Sequence, residues 1–336
     1  RQGTADGPYH ASWKMADGVS FWATFLPAEG EQFYLTSGFP RPSSKKPPPM
    51  PFLVRRRSPA ADGDLSLFAS VLSYTRDTPP VIGARRLALT PDSDNDAIAI
   101  LVEHLYGEDV VMSCLSPSGF ASSADGRFEL HGQFGAVSIR KDTPPRMMLV
   151  GGTSFSADNR SITLEGGSVS ATVREVYDDR LVLDRPLPEW VVGEILLAMR
   201  GPVESSYRVE KIEGDTVYVS PGTWIGKGRA DRYDRDTATI FDSRDVFPLG
   251  EKRNRLADIS GMVYPEGNRN YYAGSWLVAE DGTSHYRLKS GGFPGFVLDP
   301  VQDLSRIEQR FSDRKPFLLY DLGPGDTVKV LRWKQG

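Results

Sequence analysis

The stretch HASWKMADGVSFWATF, residues 10–25, carries the alternation of two strands around Asp17-Gly18. A two-residue loop is the usual outcome of Asp-Gly. Here it would set Lys14 opposite Phe21 and mix polar with apolar side chains on both faces. A three-residue loop over Ala16-Asp17-Gly18, with Gly18 left-handed, pairs Met15 with Val19, Trp13 with Phe21, Ala11 with Ala23 and Tyr9 with Phe25. Every pair on that face is apolar. The other face carries Lys14 with Ser20, Ser12 with Trp22 and His10 with Thr24. A one-residue slip would exchange the faces, so the pattern selects the bulged loop.

The remaining chain fits this start. Its 336 residues suffice for about two domains with substantial cores, and 33 Gly, 25 Pro and 35 aromatic residues favour a turn-rich β protein. The formal charge of −4 offers none of the basic character expected of a nucleic-acid binder. The single cysteine, Cys114, excludes an internal disulfide; in VVMSCLS it reads as a buried structural thiol. No apolar run approaches the roughly 18 residues of a membrane span. RQGTADGPYH is not a signal peptide, and a chain opening on Arg is expected to be a processed or truncated product.

Strand-like runs follow one another: EQFYLTS, PFLVRRR, LSLFASVLSYT, ARRLALT, AIAILVEHLY, DVVMSCL, GRFELHG and GAVSIRK. Asp62-Gly63, Asp125-Gly126 and Thr143-Pro144-Pro145 separate them as turns, a spacing that predicts an antiparallel β-sandwich over residues 1–155. RPSSKKPPPMP (41–51) reads as an extended surface loop, and GGTSFSADNR (151–160) as the joint to a second, smaller β domain over 156–336. That domain holds an internal repeat. Residues 193–221 and 274–300 share a Gly, an apolar strand, a Tyr-Arg strand and a strand ending in Pro, and 173–186 resembles a shorter third copy. Stacked hairpin-like units are therefore expected there. Only PVQDLSRIEQRFSD (300–313) has helical spacing, through Leu304, Ile307 and Phe311.

Chemistry is sparsely signalled. The four histidines, His10, His104, His131 and His285, form no zinc motif. Asp92, Asp94, Asp96 and Glu103 match ligand positions of a calcium loop, although Ala97 stands where Gly is needed and a strand follows, so an acidic turn is the plainer account. No G-x-S-x-G or phosphate-binding loop occurs. The face carrying His10, Ser12, Lys14, Ser20, Trp22 and Thr24 is more suggestive. A Trp among small polar groups offers a sugar ring a flat apolar platform with hydrogen-bonding neighbours, or else it packs against another domain or chain. Arg55, Arg56 and Arg57 could meet an acidic ligand or form a solvated strand end.

Several phrases resemble a known family. DGVSFWATFLPAEGEQFYLTSG, PFLVRRR and LFASVLSYTRDTPPVIGARRLAL look like the C-terminal β region of heparinase II/III-like polysaccharide lyases. SYRVEKIEGDTVYVSP and YYAGSWLVAEDGTSHYRL resemble the accessory β domain of such chains. The resemblance implies a periplasmic or secreted parent enzyme that cleaves uronic-acid-containing polysaccharide by β-elimination, with an N-terminal α/α toroid as a domain or companion chain. The family's catalytic Tyr and His and its structural divalent metal lie in segments absent from this sequence, so no catalytic residue or cofactor is carried over. The implied task is to brace the toroid and wall the cleft against an acidic polysaccharide, with His10, Trp22, Arg55 and Arg57 as candidate substrate contacts. Two alternatives stand beside it: a free-standing carbohydrate-binding or adhesion module, and a complete enzyme whose site is built from Asp, Glu and Arg residues.

Overall fold

A computed structural model of the chain describes residues 2–4, 7–15, 17–38, 50–58, 67–76, 81–90, 96–115, 119–200, 203–242, 247–248, 272–279, 281–282, 284–292, 295–311 and 315–336. The described chain is almost wholly β, in antiparallel sheets. It divides into two compact units, residues 1–167 with 332–336, and residues 168–331. Residues 41–49, Asp62-Gly63, Asp92 and Asp94 lie outside the described residues.

The first unit begins with β1 (Gln2–Thr4), β2 (Tyr9–Lys14), β3 (Ser20–Leu26), β4 (Gln32–Gly38), β5 (Met50–Arg56) and β6 (Ala69–Thr75). These make two three-stranded sheets, β1-β4-β5 and β2-β3-β6. Pro51, expected in a loop, lies within β5, an edge strand, where a missing N–H can be tolerated.

The sandwich proper starts later. It comprises β7 (Val81–Leu87), β8 (Leu89–Thr90), β9 (Ala97–His104), β10 (Gly107–Cys114), β11 (Phe120–Ser123), β12 (Phe128–His131), β13 (Phe134–Arg140), β14 (Thr143–Val150), β15 (Ser154–Ala157) and β16 (Arg160–Thr163). One sheet runs β14-β13-β10-β9-β7, with the chain's last strand, Trp333–Gln335, beside β14; the other runs β16-β15-β12-β11-β8. Alternate residues such as Met112, Phe128, Leu130, Leu149 and Phe155 fill the space between them. Gly135 is needed there, because a Cβ would sit 2.6 Å from the Phe155 ring.

Three expectations change. The opening hairpin contributes nothing to this core. Residues 151–160 are not a joint: they hold β15 and the first residue of β16, which pair as a hairpin, and the units divide at Gly167/Ser168. Thr143-Pro144-Pro145 opens β14 rather than turning. Between the pairs Ser138↔Arg146 and Arg140↔Thr143 the register shifts, so the two prolines occupy a bulge where ladder bonds are lost anyway.

The second unit contains β17 (Ser168–Val176), β18 (Arg180–Leu183), a 3₁₀ turn at Glu189–Val191, β19 (Ile195–Arg200), β20 (Val203–Glu213), β21 (Thr216–Ser220), β22 (Trp224–Asp234), β23 (Thr239–Asp242), β24 (Phe247–Pro248), β25 (Trp276–Ala279), β26 (His285–Gly292), β27 (Gly295–Leu298), the helix α1 (Ile307–Arg310), β28 (Pro316–Tyr320) and β29 (Thr327–Leu331); β30 (Trp333–Gln335) then returns to the first unit. Strands β17-β18-β21-β20-β19-β29 close a barrel. Strands β22-β23-β27-β26-β25-β28 follow the same order, and the β22–β23 pairing closes that ring too.

The correspondence reaches individual bonds. Gly193 N donates to Val209 O at 2.8 Å, as Gly274 N does to Leu288 O at 2.8 Å, and both glycines have positive φ, 87° and 79°. Val173 N to Asp326 O matches Ala230 N to Lys315 O, and Val219 N to Asp179 O matches Leu298 N to Ala238 O. Bulges fall at the same places, between Val209 and Lys211 and between Leu288 and Ser290. Inward positions agree as well: Tyr207 with Tyr286, Ala198 with Ala279 and Val330 with Leu319 are all buried. The sequence repeat is thus the third, fourth and fifth strands of two like barrels rather than stacked hairpins. Residues 173–186 are no third copy; β17–β18 supplies the first two strands of the first barrel, and its counterpart is β22–β23.

The second barrel is an insertion between β21 and β29. It enters and leaves at one point, where Asp321 N donates to Thr223 O at 3.1 Å and Trp224 pairs with Tyr320. The outward residues Val278 and Tyr320 pack into the first barrel's core cluster. There the Tyr320 hydroxyl donates to Asp178 Oδ1, and burial together with that carboxylate raises its pKa well above the ordinary phenol value. The predicted helix shrinks to four residues. Ahead of it Asp299 and Asp303 accept the backbone N–H groups of Val301 and Ser305, and the Gln302 amide exchanges two 2.7 Å bonds with the Arg287 backbone. The local Asp bonds are of the kind that competes with helix.

Candidate functional site

The opening hairpin has the register its alternation selects. Tyr9 pairs with Phe25, Ala11 with Ala23, Trp13 with Phe21 and Lys14 with Ser20. Gly18 has φ 79°, and Met15 N donates to Val19 O at 2.7 Å, closing the loop. β6 pairs with β3 and extends each row across the sheet. One face presents the rows Tyr9–Phe25–Ser70, Ala11–Ala23–Leu72 and Trp13–Phe21–Tyr74. The other presents His10–Thr24–Val71, Ser12–Trp22–Ser73 and Lys14–Ser20–Thr75.

Among the described residues the apolar face is covered at one end only. Phe33 of β4 stacks on Tyr9 at 5.0 Å, and Tyr9 stacks on Phe25 at 4.9 Å. Arg55 of β5 lies 5.3 Å from the Phe25 centroid. Its guanidinium donates to Glu31 Oε1 at 2.5 Å and Oε2 at 2.9 Å, and to the Ala69 carbonyl at 2.8 Å. The two side chains are 10% and 2% exposed, so this is a buried, bidentate ion pair that clamps the small sheets together. Burial raises the pKa of the adjoining Tyr9 phenol above its ordinary value, with Arg55 opposing that rise.

At the far end the face is open. Trp13 and Phe21 are half-buried, with ring centroids 5.7 Å apart. Tyr74 beside them is 79% exposed and Leu72 60%. Three aromatic side chains from three neighbouring strands therefore form one row on a largely apolar surface.

The predicted contacts do not gather into one site. His10 and Trp22 do share a face. His10 is exposed, with Nδ1 2.9 Å from Thr24 Oγ1. Trp22 is half-buried, and its Nε1 is shut away without a hydrogen-bond partner among the described residues, so it is poorly placed to receive a ligand hydroxyl. Arg55 lies across the sheet from them, consumed by Glu31. Arg57, just past β5, is half-buried.

Of the calcium alternative, only Asp96 and Glu103 lie among the described residues, and they stand too far apart to share one ion. Asp96 immediately precedes β9 and Glu103 lies near its far end, so seven extended residues separate them by about 23 Å. Among the described residues, no group of three or more His, Cys, Asp and Glu side chains could hold a metal ion. Nor is any helix among them long and apolar enough to cross a membrane. Cys114 is fully buried, as a structural thiol should be. A cavity of 630 Å³ beside the β3–β4 turn is lined by Arg85, Arg86 and Glu29, and by Glu31, whose charge is already met by Arg55.

The open row is not legible in the sequence because Trp13 and Phe21 belong to the hairpin's all-apolar face, and nothing local marks their end of it as uncovered. Tyr74 was the available signal: it shares a strand side with Leu72 and joins the hairpin once β6 pairs with β3. No family model, curated protein or solved structure matches the chain.

Proposed function

We propose that this chain is the polysaccharide-binding β region of a uronate-cleaving lyase. It holds the polymer while an N-terminal toroid, as a domain or a companion chain, carries out the elimination. The observation that carries this reading is the open row Trp13–Phe21–Tyr74. Aromatic faces accept the C–H faces of pyranose rings, and a row across a sheet gives a chain of sugars successive places to stack. The resemblance to heparinase II/III-like lyases supplies the uronate and the elimination. The same row, complete within one small sheet, also supports a free-standing carbohydrate-binding or adhesion module. Peptide mapping of the native assembly separates the two, since only the lyase region should carry a helical domain with it.

Tyr74→Ala tests the surface. Because Tyr74 is so exposed, stability should stay within about 0.5 kcal/mol of wild type. Affinity for a polyuronate, measured by calorimetry or affinity electrophoresis, should fall about tenfold, or roughly 1.4 kcal/mol. Unchanged affinity would place the binding surface elsewhere.

A further inference from the structure

We infer that Arg76 is the specificity-determining residue of this surface, reading the carboxylate of a uronate whose ring stacks on Tyr74. This rests on the binding reading above. Along β6 the exposed positions are Ser70, Leu72 and Tyr74, while Val71, Ser73 and Thr75 are half-buried. Arg76, exposed, follows Thr75 at the bend where the strand ends, two residues on from Tyr74. Thr75 pairs with Ser20, so Arg76 lies beside the hairpin tip at the level of Val19.

Residues two apart on a strand share a face and are spaced by roughly 6.6 Å, within reach of an arginine side chain. Arg76 therefore sits just past the end of the aromatic row, exposed and two residues from Tyr74. Arg76 has no ion-pair partner among the described residues, whereas Arg55 is bound to Glu31 and Arg140 to Asp109. A uronate pairs an apolar ring face with a carboxylate at the ring edge. A stacked ring and a planar guanidinium fork just past it match those two features separately. A neutral sugar would use only the stack.

The test compares a polyuronate with its carboxyl-reduced neutral counterpart, using the full chain in low salt. Wild type should bind the polyuronate roughly three- to tenfold tighter, and the preference should shrink as salt screens it. Arg76→Gln should abolish the preference while leaving neutral-polymer affinity unchanged. Arg76→Lys should restore part of it, and Tyr74→Ala should weaken both polymers. Equal binding of the two polymers by wild type, with both weakened by Tyr74→Ala, would overturn the role of Arg76 and leave the stacking surface standing. A preference that survives Arg76→Gln would also overturn the assignment. Binding of neither polymer would overturn the surface itself, and Arg76 with it.

Discussion

Glu31→Ala should destabilise the small sheets of the first unit by about 3–5 kcal/mol. The substitution leaves the Arg55 guanidinium buried over Phe25 with only carbonyl oxygens to accept its protons, and the Ala28 N–H loses its acceptor. Because those sheets lie apart from the sandwich core, the loss should first appear locally. Amide exchange in β2 to β6 should quicken while β9, β10 and β13 stay protected. A paired Glu31→Leu, Arg55→Met replacement should regain most of the stability, since a matched apolar pair avoids the uncompensated charge. A single variant within about 1 kcal/mol of wild type would show that water reaches the pair.

Asp326→Ala should have an effect of similar size, about 3–5 kcal/mol, in the second unit. Asp326 is 4% exposed. It accepts the Trp276 indole N–H at 2.8 Å, the Gly323 N–H at 2.9 Å and the Arg287 guanidinium at 3.1 Å. It thereby ties the second barrel's β25 and β26 to the turn that leads into the first barrel's β29. The Trp276 ring packs so closely on Gly323 that a Cβ there would lie 2.6 Å away, and the indole has little room to find another acceptor. Asp326→Asn keeps an oxygen for the indole and should lose clearly less. The readouts are urea unfolding and the Trp emission maximum; a tolerated Ala with unshifted emission would refute the account.

What the sequence disclosed follows from the range over which each signal acts. The hairpin register was legible because alternation and a left-handed glycine are local. Which end of its apolar face is covered was not, because Phe33 and Arg55 come from a second sheet and Tyr74 arrives some fifty residues later. Arg55 looked like a ligand contact because it sits in a basic run, and nothing near it points to Glu31, which lies 24 residues earlier. The repeat was visible in its Gly and Tyr-Arg spacing. The rings were hidden because each closes through a sixth strand, β28 or β29, that follows the repeat and shares no phrase with it. The helix at 300–313 had the right apolar spacing, but short-range Asp bonds and the clasp of Gln302 on the Arg287 backbone claimed most of it.

The nesting of the barrels bears on the order of assembly. The strands of the second ring are contiguous in the chain, from Trp224 to Tyr320, so it can close as soon as it is made. The first ring waits for β29, and the sheet that ends in β14 waits for β30. Closure therefore runs from the inside outward, in the order in which β28, β29 and β30 are made, with the longest loops completed last. Pulse-labelled exchange during refolding should protect β25 to β28 before β17 and β29, with the edge of β14 last; simultaneous protection would mean that the three closures form one cooperative event.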